Sequence, residues 1–144
     1  MRALGLDLGT RRIGVALSDA EGRVATPVEV IERTRRRDAV HQRIGELVDE
    51  FEVERVVVGL PLNMDGTTGS AARSALDEAA ALRDTLPVPV ETYDERLTTV
   101  SADRCLNELQ MKAEERRRVV DKVAAAVMLQ AWLDHCRSAE EEEA

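Results

Sequence analysis

A chain of 144 residues, 44% of them hydrophobic, is long enough to bury the core of one domain and too short for two. Only 2% of the residues are aromatic, so aliphatic side chains must fill the core, and recognition by aromatic stacking is disfavoured. No apolar run approaches the roughly 18 residues needed to span a bilayer, which excludes an integral membrane protein.

The charge of the chain is unevenly distributed. Half of the formal net charge of −8 comes from the four glutamates at 140–143. Positive charge is concentrated in three clusters, which are Arg11 with Arg12, Arg33 with Arg35 to Arg37, and Arg116 to Arg118. Such clusters can follow phosphates even on an acidic protein.

The cysteines indicate the compartment. Cys105 and Cys136 have no metal-ligand spacing, and no secretory signal precedes the first predicted strand. These features predict a cytoplasmic protein in a reducing environment.

Three short strands open the chain. Apolar runs of the β type, separated by Gly-containing turns at 9–12 and 19–22, occupy residues 2–8, 13–18 and 24–31. They predict an antiparallel meander.

The period then changes, and helices alternate with strands. Apolar residues at helical spacing predict helices at 38–51, 70–86, 99–110 and 114–136, and buried runs predict strands at 54–60 and 88–93. This order predicts an α/β fold with a mixed five-stranded sheet, three strands antiparallel and two parallel. We expect one domain at 1–137 and a disordered acidic tail at 138–144.

Asp7 is the first candidate site residue. It lies between Leu6 and Leu8 in the first strand and precedes Gly9. A buried carboxylate without a partner is costly, and a bound cation removes that cost. An Asp that caps the 9–12 turn is the alternative.

Two further acidic positions can join it. Glu95 follows Asp94 at the end of the last predicted strand, where parallel sheets place their sites, although acids there also cap helices. Asp121 precedes the apolar stripe of the final helix by one turn, and pairing with an Arg is its alternative role. Carboxylates of this kind suit one or two Mg²⁺ or Mn²⁺ ions for phosphodiester hydrolysis.

The segment 59–69 is a Gly-rich loop between a buried strand and a helix. Amides at the start of that helix can receive a phosphate. A turn that needs glycine for its conformation explains the loop equally well.

Four segments together resemble the YqgF family, also called RuvX, of Holliday-junction resolvases and pre-16S ribosomal RNA nucleases. They are DLGTRRIGVALSD at 7–19, VGLPLNMDGT at 58–67, DERLTT at 94–99 and DKVAAAVMLQ at 121–130. The resemblance covers residues 2–134 and implies a ribonuclease H-like fold.

The resemblance also implies a site. It carries a catalytic, metal-binding set onto Asp7, Glu95 and Asp121. In other nucleases of this fold an acid ends the fourth strand, whereas residues 55–63 contain none, so Asp94 or Asp65 remain alternatives to Glu95.

Phosphate contacts are implied for a second group of residues, and with them a substrate. The resemblance implies that Arg12 and Arg96 hold phosphate and that Asn63 and Thr67 shape the 59–69 loop. Together with Arg11, these are the predicted nucleic-acid-binding residues. The partner is precursor ribosomal RNA or branched DNA, and we favour processing of the 5′ end of precursor 16S RNA.

Three alternatives remain open. Resolving a four-way junction symmetrically requires a homodimer, whereas RNA processing is compatible with a monomer. A non-enzymatic binding module on the same scaffold is the second alternative. An ATP-binding domain like those of hexokinase and actin shares the Asp-Leu-Gly-Thr turn, but that group clasps its nucleotide between two such domains.

Overall fold

The first three strands form the predicted meander. The computed structural model describes residues 1–97 and 113–143. Strands β1 (Ala3–Leu8), β2 (Arg12–Ser18) and β3 (Ala25–Glu32) pair antiparallel in chain order. In the turn between β1 and β2, the Gly9 N–H donates to the Arg12 carbonyl at 2.9 Å. A Cβ on Gly9 would lie 2.5 Å from that oxygen, so the turn requires glycine.

Two βα crossovers complete the sheet. Helix α1 (Arg37–Glu50) leads to β4 (Arg55–Leu60), and α2 (Ser70–Thr85) leads to β5 (Val90–Asp94), which ends in a one-turn 3-10 helix at Glu95–Leu97. Strand β4 pairs parallel with both β1 and β5, and the strand order is β3-β2-β1-β4-β5. The predicted mixed five-stranded sheet is confirmed. Because β4 is parallel to both of its neighbours, the carboxyl ends of β1, β4 and β5 lie at the same edge of the sheet.

Each face of the sheet has its own core. Leu4 and Leu6 of β1 point to the face covered by α1 and α2, where the larger cluster lies. Helix α3 (Ala113–Glu143) covers the other face and buries Trp132 in the smaller cluster. At Gly5 the helix approaches so closely that a Cβ there would lie 2.9 Å from the Leu129 Cβ. Asp7, two residues further along β1, therefore lies on the α3 face.

The final helix is longer than predicted. Helix α3 continues through Glu143, so the stretch expected to be a disordered tail is helical here. Glutamate is a good helix former, and the helix before it supplies the nucleus that a short segment lacks. The predicted helix at 99–110 lies outside the described residues. Within 1–97 and 113–143, no helix is long and apolar enough to cross a membrane.

Candidate active site

Parallel pairing brings the ends of three strands to one edge of the sheet. The last paired residues of β1 and β4 are Leu6 and Val58. Asp7 therefore lies level with Gly59, about 4.8 Å away across the sheet. Glu95 follows β5 on the far side of β4.

Gly59 provides the space through which Glu95 reaches the centre of this edge. A Cβ on Gly59 would lie 2.3 Å from Glu95 Oε1 and 3.0 Å from its Cγ and Cδ. The Glu95 side chain thus lies over the bare backbone of β4. Any side chain at position 59 would displace this carboxyl group.

The carboxyl groups of Glu95 and Asp7 meet there. Burial, the charge of Asp7, a hydrogen bond with Asp7 and the charge of Asp94 raise the pKa of Glu95 to about 8. At neutral pH Glu95 therefore keeps its proton, which it shares with Asp7 through a hydrogen bond. Adjacent carboxylates relieve their repulsion by taking up either a proton or a cation, and hard oxygen donors suit Mg²⁺ or Mn²⁺. The donor set fits the metal predicted from the sequence.

We expect the metal-free protein to lose stability as the pH rises from about 5 to about 8. Unfolded Glu95 ionises near 4.5, whereas in the folded protein its pKa is about 8. Between these values the folded state binds more protons, so raising the pH favours unfolding. Denaturant unfolding with a chelator present measures this effect. Glu95→Gln should flatten the pH dependence, and an equally steep dependence in that variant would contradict the assignment.

The two alternative acids are engaged elsewhere. The Arg96 side chain donates to both oxygens of Asp94, from Nη2 to Oδ2 at 2.6 Å and from Nε to Oδ2 at 3.0 Å and Oδ1 at 3.1 Å, and this pairing lowers the pKa of Asp94. Asp65 accepts from the Thr67 hydroxyl at 2.6 Å and from its amide at 3.0 Å. Of the three acids offered by the sequence, the geometry brings Glu95 to Asp7.

Asp121 belongs to α3, one helical turn before Ala125. The Ala125 carbonyl oxygen is 3.3 Å from the Cβ position of Gly5, and α3 also contacts the one-turn helix that holds Glu95. The side chain of Asp121 lies outside the part that the structure describes. Within that part, no group of three His, Cys, Asp or Glu residues can hold a metal ion.

The predicted nucleic-acid residues lie on both sides of Asp7. Arg11 is exposed in the turn after β1, and Arg12 is half-buried at the start of β2. On the other side, the side-chain amide of Asn63 donates to the Thr67 hydroxyl at 3.0 Å. This hydrogen bond closes the 61–69 loop on itself. Arg96 contacts the Met64 carbonyl and links this loop to the end of β5. Binding by these residues stays a prediction.

A buried polar cluster next to the site was missed at the level of sequence. Arg33 donates through Nε to the Gly9 carbonyl at 2.7 Å and through both Nη atoms to Glu78 at 2.6 and 3.1 Å. His41 Nε2 lies 2.8 Å from Glu78 Oε2. Burial opposes ionisation of Glu78, but the hydrogen bonds from Arg33 and His41 outweigh it and lower its pKa. The cluster ties the turn after Asp7 to both α1 and α2.

The signal for this cluster is present in the two helices. Glu78 shares the apolar face of α2 with Ala75 and Ala79, and His41 lies beside Val40 on the buried face of α1. Polar residues at core positions of two helices indicate a buried pair. Neither Glu78 nor His41 was predicted to be a site residue.

Comparison with known proteins identifies the family of this chain. The sequence model of the RuvX family, described as Holliday junction resolvase, matches residues 1–135. The chain belongs to the RuvX family. The family predicted from the four sequence blocks is confirmed.

Two relatives of this chain carry the same name. The chain is 53% identical over 140 residues to a "Putative pre-16S rRNA nuclease" of Mycobacterium leprae, covering 96% of this chain and 75% of the relative. A protein of the same name from Geobacillus kaustophilus is 46% identical over 138 residues, 95% of this chain and 100% of the relative.

A solved structure supports the fold. Thermus thermophilus RuvC matches this RuvX chain with a TM-score of 0.57 at 18% identity, covering 96% of this chain and 97% of RuvC. The ribonuclease H-like fold is confirmed.

Proposed function

We propose that this chain is a metal-dependent nuclease that hydrolyses phosphodiester bonds in structured nucleic acid, with processing of the 5′ end of precursor 16S ribosomal RNA as its main task. The carboxyl groups of Asp7 and Glu95, which share a proton at the edge of the sheet in a RuvX-family chain, carry the proposal. The names of the relatives favour the RNA substrate.

Asp7, Glu95 and Asp121 would hold one or two Mg²⁺ or Mn²⁺ ions. A bound cation supplies a Lewis acid that stabilises the charge developing on phosphoryl oxygens. Glu95 must lose its proton for the site to bind the cation, so proton release accompanies loading. Gly59 leaves the opening through which Glu95 reaches Asp7, and the Asp94–Arg96 pair keeps a second acid from competing for that place.

Resolution of Holliday junctions is the second candidate, favoured by the description of the family model. It requires two active sites in a homodimer, whereas a monomer suffices for RNA processing. A non-enzymatic binding module is a third possibility on this scaffold. We place the activity in the cytoplasm, in one domain spanning residues 1–137 followed by the acidic segment 138–144.

Cleavage assays test the proposal. An end-labelled fragment spanning the 5′ end of precursor 16S RNA and a four-way DNA junction are incubated separately with the protein and Mg²⁺, Mn²⁺ or a chelator. We expect metal-dependent cleavage of the RNA and weaker or no cleavage of the junction. Junction cleavage by a dimer would instead establish the resolvase. Tight binding of the RNA without cleavage under any metal condition would establish the binding module.

A further inference from the structure

Two arginine-bearing segments form one surface beside the proposed active site. The turn 9–12 and the segment 33–37 are joined by the Arg33 amide, which donates to the Arg11 carbonyl at 2.9 Å, and by the Arg33 side chain on the Gly9 carbonyl. We call this surface the arginine ridge. It begins two residues after Asp7, on the β2–β3 side of the site.

The arginines of the ridge differ in whether their charge is already balanced. Arg33 is paired with Glu78, and Arg36 is paired with Asp38 at 3.0 Å. Arg37 lies 4.0 Å from Glu78.

Two of the other ridge arginines present uncompensated charge. Arg11 and Arg35 are exposed and make no ion pair within the described residues. They are therefore exposed positive groups on the ridge, in a chain whose net charge is −8.

Buried polar contacts fix the backbone that carries these two side chains. Glu78 and His41, 6% and 8% exposed, anchor Arg33 and through it the turn and the segment. A fixed backbone reduces the entropy lost when a ligand binds. The ridge is thus a prearranged surface.

We propose that Arg11 and Arg35 bind backbone phosphates of the nucleic-acid strand next to the bond that is cleaved. The inference rests on the proposed nuclease function and assigns the side of the site along which the substrate runs. Strand β3 lies two strand spacings, about 10 Å, from β1. In duplex DNA, which rises about 3.4 Å per step, that distance is about three steps. Because the contacts are to phosphates, they act on RNA and DNA alike and carry no sequence preference.

The test compares salt dependence of binding. Dissociation constants for a duplex RNA, a duplex DNA of the same sequence and the precursor RNA fragment are measured across salt concentrations, with chelator present to prevent metal-dependent cleavage. The variants are R11Q/R35Q, the charge-retaining R11K/R35K, and R23Q/R137Q. The last pair removes the same formal charge outside the ridge, at the exposed Arg23 and the half-buried Arg137.

Each lost phosphate contact lowers the slope of log affinity against log salt by about 0.9 on duplex DNA. We therefore expect R11Q/R35Q to lower the slope by about 1.8 on the duplex DNA, and to lower the slope and weaken binding on both RNA ligands as well. R11K/R35K should keep most of the slope, and R23Q/R137Q should leave it unchanged. Equal slopes for R11Q/R35Q and R23Q/R137Q would contradict the proposal that Arg11 and Arg35 bind phosphates. Cleavage by the unchanged protein then still supports the nuclease, whereas failure of that protein to bind or cleave any of these ligands overturns both proposals.

Discussion

Asp7→Asn and Glu95→Gln are each expected to reduce metal-dependent cleavage at least about 100-fold while leaving the metal-free fold as stable as before, or more stable. The stability follows from the geometry. Each change removes one of two carboxyl groups that oppose each other's ionisation, so the variant loses repulsion and keeps a hydrogen-bonding group of the same shape.

Cleavage rates and thermal unfolding at pH 8, with and without Mg²⁺, measure the two effects together. Asp84→Asn, at an exposed position on α2, is the matched control and should change neither. Added Mg²⁺ should raise the unfolding temperature of the unchanged protein and of the control, and much less that of the site variants. A variant that is inactive and also clearly destabilised without metal would point to a structural role for its carboxylate.

Glu78→Ala is expected to destabilise the protein by about 3 kcal/mol, because it leaves the Arg33 guanidinium without its counter-charge in a largely buried place. The Glu78 side chain is 7% exposed and that of Arg33 20%. Urea unfolding measures the loss.

A second pair with the same chemistry is the control. Arg43 binds Glu29 through two hydrogen bonds, but these side chains are 38% and 29% exposed. Glu29→Ala should therefore cost about 1 kcal/mol or less. Equal losses in Glu78→Ala and Glu29→Ala would show that the buried cluster contributes no more than a surface pair.

The strands and helices were predictable because their signals are local. Apolar residues alternate within the strands and recur at helical spacing within the helices, and the turn at Gly9 indicates the first hairpin. The end of α3 was not predicted, since a run of like charges reads as a solvated tail unless the preceding helix extends into it.

The site was predictable in composition and only partly in geometry. Asp7 and Glu95 were identified as candidates, but whether Glu95, Asp94 or Asp65 approaches Asp7 depends on strand register and on the missing side chain at Gly59. No local sequence pattern reveals the strand register or the role of the absent side chain at position 59. The Arg33–Glu78–His41 cluster was missed for a related reason, because its members come from three segments that meet only in the folded chain.

Gly59 also bears on how proteins of this architecture are compared. In this chain the end of β4 has Gly59 at the place where an acid is expected. The carboxylate comes instead from Glu95 after β5, and it occupies the space that a side chain at position 59 would fill. The oxygen atoms therefore occupy a place in space that is not tied to one column of an alignment. A search for active members that requires an acid at the end of the fourth strand would discard this chain, whereas one that accepts a glycine there together with a glutamate after the fifth would retain it.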